Sequence, residues 1–197
     1  MQCSTEALQK RKNGDEMDLT ERCLRREDKF KGRILDVHVD TVSLPNGKTA
    51  TREISDHPGG VAIVAIDGEG NVLTVKQYRY AFSRVMEEIP AGKLEKGEDP
   101  YAAAIRELRE ETGAVAARFT SLGSIIPSPG CYGETLYLYF AEDLQFGGME
   151  PDEDEFLSLC RTPFADAVAK VMRGELDDAK TVVGILKAKE LLKTPNF

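Results

Sequence analysis

The run VAIVAI, Val61 to Ile66, constrains the fold more than any other stretch of the sequence. Unbroken apolar residues over this length read as a buried strand. The run is far too short to cross a bilayer, which takes about 20 residues as a helix. GEGN supplies the turn after it, and NVLTVKQYRY is expected to be its partner strand. A chain of 197 residues is long enough to bury such a strand in a substantial core.

The rest of the chain reads around that strand. GRILDVHVDTVSL alternates apolar and polar residues, PNGK carries an Asn46-Gly47 turn, and TATREIS continues outward, which is a hairpin pattern. RVMEEIPAGKLE reads as a loop or short strand. Asp99 is a good N-cap, Pro100 suits the first helical position, and Gly113 closes the helix between them. RFTSLGSIIPS and ETLYLYFAEDL are two further strands, joined through PSPGCYG. The acidic GGMEPDEDE leads to the strand FLSLCR, and helices over about 163–173 and 179–192 finish the chain. Residues 1–22 are polar, lack sustained periodicity and read as a mobile leader. The pattern is that of an α+β sandwich.

Composition narrows the function. With 26 basic against 34 acidic residues the net charge is -8, which argues against nucleic acid as a partner. The four cysteines form no CxxC pair, and only two histidines are present, so a disulfide framework or a zinc site is disfavoured. The first residues lack the apolar core of a signal peptide. No membrane association and a cytoplasmic setting are expected. Cys131 has no adjacent base and His57 precedes Pro58, so neither reads as catalytic.

On the helix from Pro100 to Thr112, Glu107, Glu110 and Glu111 fall within an arc of about 100°. Tyr101, Ala104, Ile105 and Leu108 form a neighbouring apolar arc able to pack on a sheet. A solvated face with an Arg106–Glu110 pair is one reading. Against it, Glu107 and Glu111 are like charges at i,i+4, and glutamates near a helix C-terminus oppose the macrodipole. Each penalty is only a few tenths of a kcal/mol in exposed settings, so they lean towards a bound cation without requiring one.

The wider spacing is more specific. From Gly92 to Ala114 the chain reads GKLEKGEDPYAAAIRELREETGA: glycine, five residues, glutamate, seven residues, then Arg-Glu-apolar-x-Glu-Glu-x-Gly. Seven such identities would coincide by chance at a given start on the order of once in 10⁸. The stretch resembles the Nudix box, with Ala114 standing where the family usually carries a bulkier aliphatic residue. The flanking VKQYRY, EEIPAGKLE and PSPG resemble the ADP-ribose pyrophosphatase branch of that family.

The resemblance implies an α/β/α sandwich with a mixed sheet, preceded by an N-terminal antiparallel hairpin region used in dimerisation. The corresponding division is a leader at 1–22, a strand region at 23–57 and a Nudix hydrolase domain at 58–197. The implied reaction is Mg²⁺-dependent hydrolysis of ADP-ribose to AMP and ribose 5-phosphate, with Mn²⁺ as a substitute. Alternatives are another nucleoside diphosphate sugar or nucleotide as substrate, or a non-catalytic nucleotide-sensing module. The resemblance makes Glu107, Glu111, Glu155 and the Ala91 carbonyl metal ligands, with Glu110 close behind. It makes Glu153 the general base, and Arg106 with Glu98 the pair that orients the loop against the helix. Arg79 and, across a homodimer, Arg52 contact the diphosphate, while Pro129 and Glu134 shape the substrate side. Phe30 or Tyr80 are candidates to stack on adenine.

Overall fold

The computed structural model describes residues 18–150 and 156–193. They form two compact units, one running up to His57 and including Pro129–Gly133, the other holding Pro58–Ser128 and the chain from Glu134 onward.

The first unit is a three-stranded antiparallel sheet of β1 (Arg22–Lys31), β2 (Asp36–Ser43) and β3 (Thr49–Asp56), in that spatial order. The Asn46-Gly47 turn joins β2 to β3 with Ser43 opposite Thr49, and Gly47 takes the left-handed conformation that the turn requires, φ 80°. Period two sends His38, Asp40 and Val42 to the buried side of β2. His38 lies between two carboxylates, its Nδ1 2.9 Å from Asp40 Oδ1 and its Nε2 3.3 Å from Asp56 Oδ2. Arg26 reaches the same Asp40 from β1. The strand β1 carries no apolar alternation and stays exposed along most of its length. It was not legible as a strand for that reason. Gly133 donates to the Ser55 carbonyl and Ser55 to the Cys131 carbonyl, which ties the PSPGCYG loop to β3.

The second unit contains β4 (Gly60–Ala65), β5 (Asn71–Arg79), a single 3₁₀ turn, β6 (Arg84–Glu88), β7 (Ala91–Lys93), α1 (Pro100–Thr112), β8 (Ala114–Ile125), β9 (Leu136–Phe146), β10 (Ser158–Pro163), α2 (Phe164–Met172) and α3 (Ala179–Lys193). One sheet has the order β7-β4-β9-β8 and is mixed, since β4 and β9 run parallel and the other pairs antiparallel. The other is antiparallel, β10-β5-β6. Every residue of β4 is buried. Its Val61, Ile63 and Ala65 pack with Ala103, Ala104 and Leu108 of α1. Its Ala62 and Val64 face Ala167 and Val171 of α2 and Ile185 and Ala188 of α3. Helices thus cover both faces of this sheet, and the unbroken apolar run is what such coverage demands. Each fully buried Val or Ile there contributes about 1.5–3 kcal/mol.

Two expectations need correction. β5 is not the partner of β4: one bridge, Ile66 with Val72, is all that links the segments, and β5 joins β10 and β6 instead. The edges of β4 are already taken by β7 and β9, and the turn held by the Asp67 carboxylate, which accepts from Glu69 and Asn71 N–H, sends the chain into a second sheet. The packing face of α1 is also displaced by one row. Tyr101 and Ile105 are exposed, whereas Ala103, Glu107 and Glu111 join Ala104, Leu108 and Thr112 on the buried side.

Candidate active site

The helix α1 begins where the Asp99 carboxylate accepts from Tyr101 N–H at 3.0 Å and Ala102 N–H at 3.1 Å, with Pro100 needing no such partner. It ends at Gly113, φ 69°, whose N–H donates to the Arg109 carbonyl. These two caps place the three glutamates at the C-terminal half. Glu107 and Glu111 are 8% and 3% exposed, so they are not a solvated face.

Both carboxylates meet the short strand β7. Ala91 N–H donates to Glu111 Oε2 at 3.0 Å. A Cβ at the next residue, Gly92, would stand 1.9 Å from the Glu107 carboxylate carbon, so glycine alone leaves room for that carboxylate. Consecutive residues of β7 therefore seat carboxylates one helical turn apart.

Arg106 organises the surroundings. Its Nε and Nη2 grip Glu98 at 2.9 and 3.0 Å, while Nη1 reaches Glu107 at 2.8 Å and Glu110 at 2.9 Å. Nη2 also lies 3.3 Å from the Lys93 carbonyl. Glu98 in turn accepts from Glu95 N–H at 2.9 Å, which closes the loop before α1 onto the helix. The hydrogen bonds from Arg106 lower the Glu98 carboxyl below its ordinary value, and the bond to Glu98 leads the effects that raise the guanidinium. One cation thus offsets the repulsion between Glu107 and Glu110.

A second charged group stands nearby. Arg79, at the end of β5, binds Glu88 bidentately, with both N–O distances 2.7 Å. Glu88 is 3% exposed and also accepts from Lys180. Burial opposes its ionisation, yet the Arg79 and Lys180 hydrogen bonds and charges prevail and hold the carboxyl at about 2. The folded value lies below the ordinary 4.5, so the stability from this ionisation is fully present above about pH 4.5 and is lost as pH falls through about 2. Glu88→Gln is accordingly expected to be less stable than the parent near neutrality, with the difference shrinking as pH falls across that window. Urea unfolding at pH 6 and pH 3 checks this, and a gap independent of pH would contradict it.

The remaining expected residues are distributed as follows. Glu134 belongs to the second unit, and burial raises its carboxyl, with Lys180 pulling the other way. Arg52 and Pro129 belong to the first unit, where Arg52 Nε donates to Glu21 at 2.8 Å. Phe30 and Tyr80 are exposed. Glu153 and Glu155 lie outside the described residues, as do residues 1–17 of the leader. At Ala91 the N–H is the group engaged, by Glu111. Among the described residues no three carboxylate, imidazole or thiol side chains form a cage for a metal ion.

Sequence reasoning passed over Glu88, Asp178 and Lys180. A signal was present: adjacent glutamates in a strand point to opposite faces, so Glu87 and Glu88 could not share one solvated side. Glu87 is taken by Thr74 and Lys170, Glu88 by Arg79 and Lys180.

Comparison with known proteins agrees with this geometry. Residues 56–182 match the NUDIX domain model, and residues 21–55 match the nucleoside diphosphate sugar hydrolase N-terminal domain. The chain is 43% identical to an ADP-ribose pyrophosphatase of Bacillus subtilis over 89% of its own length and 97% of that protein. It is 42% identical to a methanol dehydrogenase activator of Bacillus methanolicus, over 88% of this chain and 96% of the other. A solved ADP compounds hydrolase superposes with a TM-score of 0.78 at 25% identity, covering 88% of this chain and 94% of that one. With its arginine-held glutamates on α1 and a family match across most of its length, the chain belongs to the Nudix family.

Proposed function

We propose that the protein hydrolyses ADP-ribose to AMP and ribose 5-phosphate: water adds to one phosphorus, and the P–O bond to the bridging oxygen breaks. The observation that carries this reading is the buried pair Glu107 and Glu111 seated on Ala91–Gly92. Carboxylates buried on successive turns of one helix favour added positive charge beside them, and Arg106 stands against Glu107 and Glu110. The donors are hard oxygens, which fit Mg²⁺, or Mn²⁺ in its place. Glu107 and Glu111 would hold the ion, with the Ala91 carbonyl and Glu155 as further ligands. A bound divalent cation supplies charge neutralisation for a diphosphate and lowers the pKa of an attacking water.

The protein's own groups do the rest. Arg106 and Glu98 keep the loop and helix in register, so that Glu107 stays aimed. Arg79 binds the diphosphate, and Arg52 of a second protomer adds to it. Glu153 takes the proton of the attacking water, while Pro129 and Glu134 bound the substrate side. Dimerisation through the 23–57 strand region is part of this proposal, and so is a cytoplasmic setting; among the described residues no helix is long and apolar enough to cross a membrane.

The choice of ADP-ribose is supported by the names of the relatives, and the N-terminal match leaves other nucleoside diphosphate sugars as the alternative. A panel of ADP-ribose, ADP-glucose, GDP-mannose and UDP-glucose, assayed for nucleoside monophosphate release, separates them. Preference for ADP-ribose is expected. Preference for another sugar nucleotide would leave the glutamate site standing and overturn the substrate.

A further inference from the structure

Arg79 is the exposed end of a network whose other members are less accessible. Its side chain is 40% exposed, against 4% for Glu88, 11% for Lys180 and 18% for Asp178. Lys180 Nζ bridges Glu88 and Asp178, the latter at 3.0 Å. The next residue, Thr181, accepts from Ile89 N–H at 3.0 Å through its hydroxyl, which itself donates to Asp178 at 2.6 Å. Two consecutive residues of α3 therefore grip two consecutive residues at the end of β6, across 92 positions of sequence.

A lysine whose side chain is only 11% exposed is an expensive way to fasten a helix to a strand. Apolar residues of similar volume serve that purpose as well or better, because both charges must leave water. What the lysine adds is a countercharge. Without it, Glu88 and Asp178 would face Arg79 alone, and the only outward-facing cation of the group would be spent on two carboxylates behind it.

We infer that Lys180 is a positioning residue for the reaction: it holds Glu88 in place and offsets part of that carboxylate's charge, so that Arg79 stays aimed and its charge is less cancelled towards the substrate diphosphate. This rests on the proposed hydrolysis. A purely structural lysine would affect unfolding and leave substrate affinity alone.

The test is a double-mutant cycle on the active enzyme, with kcat and KM measured for the parent, Arg79→Met, Lys180→Met, the double variant and Lys180→Arg. The cycle is run on ADP-ribose or on whichever sugar nucleotide the parent cleaves best. Lys180→Met is expected to raise KM about tenfold while kcat stays within about threefold. The double variant is expected to be no worse than Arg79→Met alone, and Lys180→Arg to recover most of the loss. Unchanged KM in Lys180→Met, or penalties that multiply in the double variant, would overturn the inference. If Lys180→Met does not fold, Glu88→Gln/Lys180→Met removes the buried charge with its countercharge. The same rise in KM is expected there, and a parental KM overturns the inference. A parent inactive on every sugar nucleotide would refute the proposed function, and this role with it.

Discussion

Replacing Glu111 with glutamine is expected to lower kcat on ADP-ribose by about a thousandfold or more while the protein still folds. Glutamine keeps the shape and the side-chain oxygen that accepts from Ala91 N–H, so the tie between α1 and β7 survives. What disappears is one negative charge in a buried place. A loss of a thousandfold corresponds to about 4 kcal/mol of transition-state stabilisation, the scale on which metal-assisted charge neutralisation operates. Stability is expected to change little, since glutamine fills the same space and keeps the acceptor for Ala91 N–H. Steady-state kinetics with thermal unfolding decides the matter. A variant with kcat near that of the parent would mean that Glu111 only braces the β7 loop.

Substituting Gly92 by alanine is expected to have the next largest effect, although nothing polar is removed. The new methyl carbon would stand 1.9 Å from the Glu107 carboxylate, a separation no pair of atoms tolerates. The carboxylate is the far end of a flexible side chain and can swing aside, so the backbone is spared. In swinging, it leaves Arg106 and its place beside Glu111. Activity is therefore expected to fall about a hundredfold, in line with the cost of a misplacement of about an ångström at a catalytic site. The stability cost is smaller, about 1–2 kcal/mol for a local overpacking. Circular dichroism melts beside kcat/KM separate the two. A variant with normal activity would show that the position of Glu107 is not critical.

Much of the site was legible because its elements carry strong local signals. Asp99-Pro100 and Gly113 mark both ends of α1, and the spacing of seven identities carries the Nudix resemblance. The hairpin around Asn46-Gly47 was legible through its alternation and its turn chemistry. Pairing between strands was harder. Nothing local in VAIVAI or NVLTVKQYRY states that the first strand will use both edges on β7 and β9, because one of those partners arrives over 70 residues later. The strand β1 left no trace in hydrophobicity, being charged and mostly exposed. The support behind Arg79 was hidden for a related reason: its ionic partners sit on other elements, and only packing of α3 against β6 unites them.

The central claim is that the glutamates of α1 serve a divalent cation in cleaving a nucleoside diphosphate. Release of AMP from ADP-ribose, followed with Mg²⁺ present, after chelation and after Mg²⁺ is restored, tests it most directly. AMP release that needs the ion, stops on chelation and returns on adding Mg²⁺ back is the expected result. Cleavage that continues unchanged in chelator would contradict the claim, and Glu107 and Glu111 would then be left as a structural pair.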